Sequence, residues 1–324
     1  MRGADYVVKR IFFAVGTVLV AITLNFVLFR MLSGDAVSAL RCRQCTPAFK
    51  AYERKTLGLD QSKLQQYWLY IDNLAHGDLG RSLRTQEPVW QTIWLPLKNT
   101  MPMVALGTIF SIVLGVITGV IAAWRRGTWT DKTSVWASLV WYSMPPQWLG
   151  LIIVLYLASA IGLPTSGIHD ATLGILGTPS TWQVFVDRMK HMVLPAATLG
   201  LVLYGNFTLV VRSAMLETLG EDYVLTARAK GLTSWATVWK HGLRNAMLPV
   251  ITLVALSLGF IIGGTITIEY VFSYPGIGLE TVEAIDQRDY PILQGIFLLL
   301  TFSVILFNLL ADLLYFKLDP RVTE

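Results

Sequence analysis

The stretch DYVLTARAKGLTSWATVWKHGLRNAMLP, Asp222–Pro249, decides how this chain is read. It is polar, basic and broken by Gly231, yet strongly apolar runs flank it on both sides. A tight turn would suffice to join two membrane helices, so a long, charged, aromatic connection points to a structure that protrudes. Asp222, with Glu221 before it, stands where negative charge suits the start of a helix dipole. Arg228 and Lys230 fall near the end of that helix, and Gly231 suits a C-terminal cap at positive φ. Thr233 or Ser234 can cap a second short helix. That helix carries Trp235, Val238, Trp239 and Leu243 on one face, with Lys240 and Arg244 elsewhere. The residues alone allow two readings: an amphipathic helix lying on the membrane surface, or a peg that docks into a separate protein.

The flanking runs place that segment in a membrane protein. The 324 residues are 54% hydrophobic and 15% charged, against roughly 25% charged in soluble domains. Several runs reach the roughly 20 apolar residues that a bilayer-crossing helix requires. The expected fold is an all-α polytopic membrane protein with spans near 11–31, 99–124, 134–161, 191–212, 247–272 and 291–316. Pro145 and Pro146 must kink or break the third span. Residues 1–32 form the N-terminus and first helix, 33–98 a small loop domain with short helices, and 99–324 a five-helix core carrying the protruding segment 213–246. Residues 162–190 are rich in Gly, Pro and Thr and read as loop.

Six spans put both termini on one side. The formal net charge of +5 is then topology information rather than a nucleic-acid signal. Short segments on the N-terminal side carry Arg2, Lys9, Arg10, Arg125, Arg126, Lys132, Arg228, Lys230, Lys240 and Arg244. The loop after the fifth span carries Glu280, Glu283, Asp286 and Asp289 against Arg288 alone. Both termini and the protruding segment are therefore expected in the cytoplasm, and the 33–98 loop outside it.

Several chemistries have no counterpart in the sequence. There is no G-x-x-x-x-G-K-[ST] phosphate loop, so the chain is not expected to hydrolyse ATP, and neither H-E-x-x-H nor G-x-S-x-G occurs. His76, His169, His191 and His241 are expected to make no carboxylate pair at helical spacing inside a span. Cys42 and Cys45 lack the further ligands a zinc site needs, so no metal is expected. Outside the cytoplasm they suit a local disulfide, the alternative being two free thiols. Ionisable residues inside the spans are scarce, which argues against a proton-coupled carrier. Gly115 and Gly119 read as helix packing. Gly259, Gly263 and Gly264, followed by Thr265 and Thr267, would give a thin, polar-capable face of the kind a substrate path requires. Asn206 and Asn308 join Thr265 and Thr267 as polar groups at plausible depths, with helix–helix hydrogen bonds the commoner role for such groups.

TARAKGL (226–232) followed by HGLRNAMLP (241–249) resembles the cytoplasmic coupling segment of permease subunits of ATP-binding-cassette importers, in the dipeptide, oligopeptide and nickel branch. The general E-A-A-x-x-x-G pattern is met only at Ala227 and Gly231, with Leu225 and Thr226 replacing its first two residues. The gap to Leu248-Pro249 is longer than in the general pattern, and both departures are habits of the peptide branch. SGDAVSAL, GLDQS, GDLGRS, PVW, RRGTWTDK, SMPPQWLG, VLPAATLG, EYVFSYPGIG, RDYP and NLLADLLYFKLDPR extend the resemblance along nearly the whole chain, most closely to the first of the two paired permeases. Ser33 stands where a Pro is usual, Gln147 where an aromatic is, and the RCRQC stretch has no counterpart in the pattern.

The resemblance implies a six-helix permease in a bacterial cell membrane, with an extracytoplasmic loop domain between the first two helices and a coupling helix between the fourth and fifth. The chain would itself be non-catalytic and without cofactor. ATP and Mg would be handled by two separate ATPase subunits or one fused ATPase. Further partners would be a second homologous permease, an extracytoplasmic substrate-binding protein and lipid, but no nucleic acid. Peptide cargo is expected over nickel or another small solute, because the spans offer almost no His or carboxylate; a self-contained secondary carrier is the rival class. Coupling would fall to Asp222, Tyr223, Ala227, Arg228, Ala229, Lys230, Gly231, Arg244 and Asn245. Gly231 would let the lever meet the following helix without a Cβ clash, and Trp235 and Trp239 would brace it. The gate and pathway would involve Asn206, Gly263, Gly264, Thr265, Thr267, Glu269, Pro275 and Gly276, with Glu269–Gly278 forming an outer turn.

Overall fold

The computed structural model describes residues 2–32, 46–56, 60–173, 175 and 178–318. Cys42 and Cys45 lie outside the described residues. Within these the chain is helical, apart from turns and one isolated bridge between Arg81 and Pro88.

α1 (Arg2–Phe26) continues as a π-helical stretch over Val27–Leu32. α2 (Pro47–Thr56) and α3 (Lys63–Ala75) are the short helices expected of the 33–98 region. Ser62 starts α3 by a capping box: the Gln65 N–H donates to Ser62 Oγ at 3.4 Å, and the Ser62 N–H donates to Gln65 Oε1 at 3.2 Å. α4 (Val89–Trp124) has 36 residues. At 1.5 Å per residue it is about 54 Å long, more than the roughly 30 Å of hydrocarbon it must cross. Its first turns thus extend beyond the span expected from residue 99.

α5 (Trp129–Ser143) and α6 (Pro146–Ile152), which continues helically to Ile161, are bent by 102° at the break between them. Pro145 forces Met144 into extended backbone (ψ 125°), and Pro146 can only begin a new helix. α7 (Thr181–Leu219) begins ten residues before the expected fourth span, so the loop expected over 162–190 ends at Ser180. The cause is a second capping box, with the Ser180 N–H donating to Gln183 Oε1 at 2.8 Å and the Gln183 N–H donating to Ser180 Oγ at 3.2 Å. The longer helix also corrects the expectation for the histidines. Asp187 and His191 now share α7 at i,i+4 spacing, and His191 Nδ1 lies 3.4 Å from the Asp187 carboxylate.

The remaining helices are α8 (Asp222–Ala229), α9 (Leu243–Gly264), α10 (Ile266–Val271), α11 (Ile277–Gln287) and α12 (Tyr290–Leu318). Among the described residues, stretches of α1, α4, α7 and α12 are each long and apolar enough to cross a membrane, and the bent α5–α6 pair makes a fifth. α9 occupies the position of the expected fifth span.

α4 and α7 form the centre of the bundle, and glycine sets their approach. A Cβ on Gly115 would sit 2.5 Å from Phe207 Cβ, and one on Gly119 would sit 2.8 Å from the Thr208 carbonyl oxygen. Thr118 and Thr208 hydroxyls bond across the same seam at 2.9 Å. Close backbone packing and polar bonds between helices drive association in lipid, where the hydrophobic effect is absent. These two glycines are packing residues, as read from the sequence.

Candidate functional site

The stretch Asp222–Pro249 folds as a hairpin at the end of the bundle that also carries the N-terminal part of α1. α8 forms its first arm. Gly231 ends that arm at φ +80°, and the Leu232 N–H reaches back to the Ala227 carbonyl at 3.3 Å, the six-to-one bond of a glycine-capped helix end. Among the described residues, no atom lies within 4 Å of where a Gly231 Cβ would project. The expected steric reason for this glycine is therefore wrong: the backbone conformation requires it, not space beside the next helix.

Thr233, rather than Ser234, caps the second arm, accepting from the Ala236 N–H at 3.2 Å. This arm is not a separate short helix. It runs through a helical turn Ser234–Ala236 and a π-helical stretch Thr237–Gly242 directly into α9, every junction holding right-handed helical dihedrals. The hairpin is thus a continuous extension of a bundle helix, interrupted only by the missing amide donor of Pro249.

Burial divides the hairpin into an inner and an outer side. Val224 is 0% and Ala227 8% exposed, so Ala227 faces the protein itself. Asp222, Tyr223, Leu225, Thr226, Ala229 and Lys230 are exposed. The two arms are joined at the Asn245 side-chain amide, which donates to the Tyr223 hydroxyl at 2.6 Å. Val238 is buried among Val120, Phe207, Val211 and Met215 of α4 and α7. Trp124, the last residue of α4, meets Trp235 edge-on at 5.7 Å between centroids, and Trp235 meets Trp239 at 5.1 Å. The expected bracing by these tryptophans is present, while Lys240 and Arg244 stay exposed.

At the opposite end, four of the residues expected near a gate, Thr265, Glu269, Pro275 and Gly276, come together around one carboxylate. Glu269 is 0% exposed. Its Oε1 accepts from the Thr100 hydroxyl at 2.7 Å, and its Oε2 accepts from the Gly278 and Leu279 N–H groups at 2.7 and 3.2 Å. It thereby caps the first turn of α11, where backbone donors and the helix dipole both favour an anion. Thr265 adds a side-chain hydrogen bond. Thr100 Oγ1 in turn accepts from the Ile277 N–H at 2.9 Å, and the Asn99 amide donates to the Pro275 carbonyl at 2.8 Å. A Cβ on Gly276 would collide with Glu269 Oε2 and Thr100 Oγ1, and one on Gly278 would sit 2.5 Å from Ile266 Cα.

The Tyr274 hydroxyl donates to the Asn99 carbonyl at 3.1 Å. Burial, and next the Glu269 charge, push that phenol up to about 12 against the opposing influence of Arg188, so it keeps its proton. The knot brings Thr265, Glu269, Pro275 and Gly276 together. It leaves out Asn206, half-buried in α7, and Thr267, which is exposed, and no atom among the described residues lies within 4 Å of a Cβ on Gly263. Thr265 is buried, with its side chain bonded to Glu269. Asn308 carries a buried side-chain oxygen with no hydrogen-bond partner among the described residues.

Asn99 and Thr100 were not among the expected site residues, because nothing in an apolar span start announces a partner 169 residues away. A second such anchor lies nearby. Asp289 accepts from the Ser82 hydroxyl and from the Leu83 N–H at 3.2 Å, tying the GDLGRS motif to the RDYP motif at the start of α12.

Residues 115–324 match the family described as the binding-protein-dependent transport system inner membrane component, and residues 4–104 match the N-terminal region of such membrane components. The dipeptide transport system permease protein DppB of Escherichia coli strain K12 is 37% identical, over 98% of each chain. The di/tripeptide transport system permease protein DppB of Pseudomonas aeruginosa is 38% identical, and the glutathione transport system permease protein GsiC of Escherichia coli is 34% identical, each again over 98% of both chains. A match of this extent, on a helical bundle with a capped, protruding hairpin, establishes that the chain belongs to the binding-protein-dependent transport family and is one of its multi-pass inner-membrane permease subunits.

Proposed function

We propose that this permease forms half of the translocation pathway of an ATP-driven importer for short peptides, delivered by an extracytoplasmic binding protein. The cargo named for the relatives, namely dipeptides, di/tripeptides and glutathione, supports that substrate class. In this reading the chain makes six spans, α9 being the fifth, with both termini and the hairpin in the cytoplasm. The basic residues Arg2, Lys9 and Arg10 in the N-terminal part of α1 and those of the Arg125–Lys132 turn support that orientation, as do the acidic residues of α11. A second homologous permease completes the pathway, and two ATPase subunits or one fused ATPase supply the driving force.

The observation that carries the proposal is the continuity of the hairpin with α9. A partner ATPase that grips the exposed face of Tyr223, Leu225, Thr226, Ala229 and Lys230 would move α9 directly. Through Val238 and the Trp124–Trp235 contact it would move the ends of α4 and α7 as well. The test is Gly231→Asp in the assembled complex. Asp tolerates positive φ and Gly231 has open space around it, so the hairpin keeps its fold while its docking surface gains a charge. Uptake should be abolished with the protein still inserted; uptake at the wild-type rate would refute the docking role.

A further inference from the structure

One ion pair in the bundle has no part in the hairpin or the knot. Arg212 of α7 grips Asp131 of α5 with two bonds, Nε to Oδ1 at 2.7 Å and a terminal guanidinium nitrogen to Oδ2 at 2.9 Å. Asp131 is 5% exposed, and its Oδ2 also accepts from the N–H of Gly127, which sits at φ +81° in the α4–α5 turn. Planar, bidentate pairing of this kind fixes orientation as well as distance. One carboxylate therefore holds together the end of α7, the start of α5 and the turn joining α4 to α5.

The neighbours of this clamp give it a direction. Arg212 lies between Val211 and Met215, and both are buried against Val238 of the hairpin. α5 leads away from Asp131 for a further 12 residues, to Ser143, about 18 Å at the helical rise, and packs on α7 again where Gly205 leaves room for the Ser138 carbonyl. After the 102° break, α6 lies on α10. A Cβ on Gly150 would be 3.2 Å from Val271 and 3.4 Å from Phe272, and Leu149 and Ile153 are buried with Ile268 and Phe272. Ile268 directly precedes Glu269 of the knot.

From this arrangement we infer that Asp131 and Arg212 are positioning residues for transport, making α5 follow the hairpin's displacement so that it reaches the Glu269 knot through α6 and α10. The inference rests on the coupling role proposed for the hairpin. With the clamp intact, α5 moves as a rigid strut between the two ends of the bundle. With it released, the ATPase still drives the hairpin and α9, but α5 and α6 no longer follow, and the knot receives the stroke through α9 and α10 alone.

The test uses the full complex in proteoliposomes, with its binding protein and a dipeptide as cargo. It measures the ATP hydrolysed per peptide imported for Asp131→Asn, Arg212→Gln, the double variant, and Arg212→Lys. Each neutralising single change should leave assembly and stimulated ATP hydrolysis near wild type and raise the ATP-to-peptide ratio at least about fivefold, the low end of typical coupling between sites. The double variant should be no worse than the worse single, because each single change leaves an unpaired charge that the double does not. Arg212→Lys keeps the charge but loses the bidentate grip, and should fall between wild type and Arg212→Gln. Proportional loss of hydrolysis and uptake, an unchanged ratio, or multiplicative single effects would each overturn the inference. Gly231→Asp run alongside separates the two ideas: uptake surviving that change sinks the docking role itself, whatever the clamp variants do.

Discussion

Replacing Glu269 tests whether the knot is held by its hydrogen bonds. The carboxylate accepts from the Thr100 hydroxyl and the Gly278 and Leu279 N–H groups, with no solvent to replace it. Glu269→Ala would orphan all three donors. A buried donor left without a partner costs about 1–3 kcal/mol, so the loss should come to roughly 3–6 kcal/mol after credit for removing a buried charge. Glu269→Gln keeps one oxygen for the two amides and can turn its NH₂ toward Thr100, so it should cost about 1–2 kcal/mol. Thr100→Val keeps the shape but deprives the Ile277 N–H of its acceptor, and should cost about 1–3 kcal/mol. Combined with Glu269→Gln it should depart from additivity by about 1 kcal/mol, since both changes act on the same contact. Unfolding of the purified permease by SDS titration in mixed micelles gives these differences. If Glu269→Ala lies within about 0.5 kcal/mol of wild type, or costs no more than Gln, the knot is not held by these bonds.

Other expectations follow from single positions. Gly231→Asn, which accepts positive φ, should preserve folding, whereas Gly231→Val should cost roughly 1–2 kcal/mol and expose the hairpin to limited proteolysis. Gly115→Leu should abolish a monodisperse peak in size-exclusion chromatography by wedging α4 from α7, while Gly263→Ala should not. Glu280 is pushed above the usual carboxylate range by burial and then by Glu283, with Asp289 adding to this and Arg84 opposing it. It binds its proton more readily folded than unfolded, so stability should fall as pH rises from the ordinary Glu value through the raised one. Glu280→Gln should be the more stable form at neutral pH and lose that advantage under acid conditions; a pH-independent difference would count against this. Cys42 and Cys45 should resist alkylation until reduced, as mass spectrometry of labelled protein would show.

The hairpin was legible because its signals are local. The helix-ending glycine, the Thr233 cap and the face shared by Trp235, Val238 and Trp239 each depend on residues within a few positions of one another. The start of α7 carried an equally local signal in Ser180 and Gln183, which the Gly- and Pro-rich composition around it obscured. Ala227 was less legible for a different reason. A small residue in a polar helix is compatible with either side, and only its packing in the folded hairpin, against the second arm, turns it inward. The separate second helix of the hairpin was likewise an artefact of polarity: the chain changes from charged to apolar near Met247 while the backbone helix runs on unbroken.

By itself the sequence determined the class of protein and the family, because hydrophobic length and motif order along the chain need no folded partner to be read. It also located the hairpin, whose shape comes from backbone geometry at Gly231. The tertiary structure alone decided what the buried charges do. Glu269 meets Thr100, Asp289 meets Ser82, and Arg212 meets Asp131, across separations of 169, 207 and 81 residues. Each pair satisfies a carboxylate that burial would otherwise make prohibitively costly, and no periodicity or local spacing encodes which distant donor arrives. Those three contacts join segments that the motifs containing them give no sign of pairing.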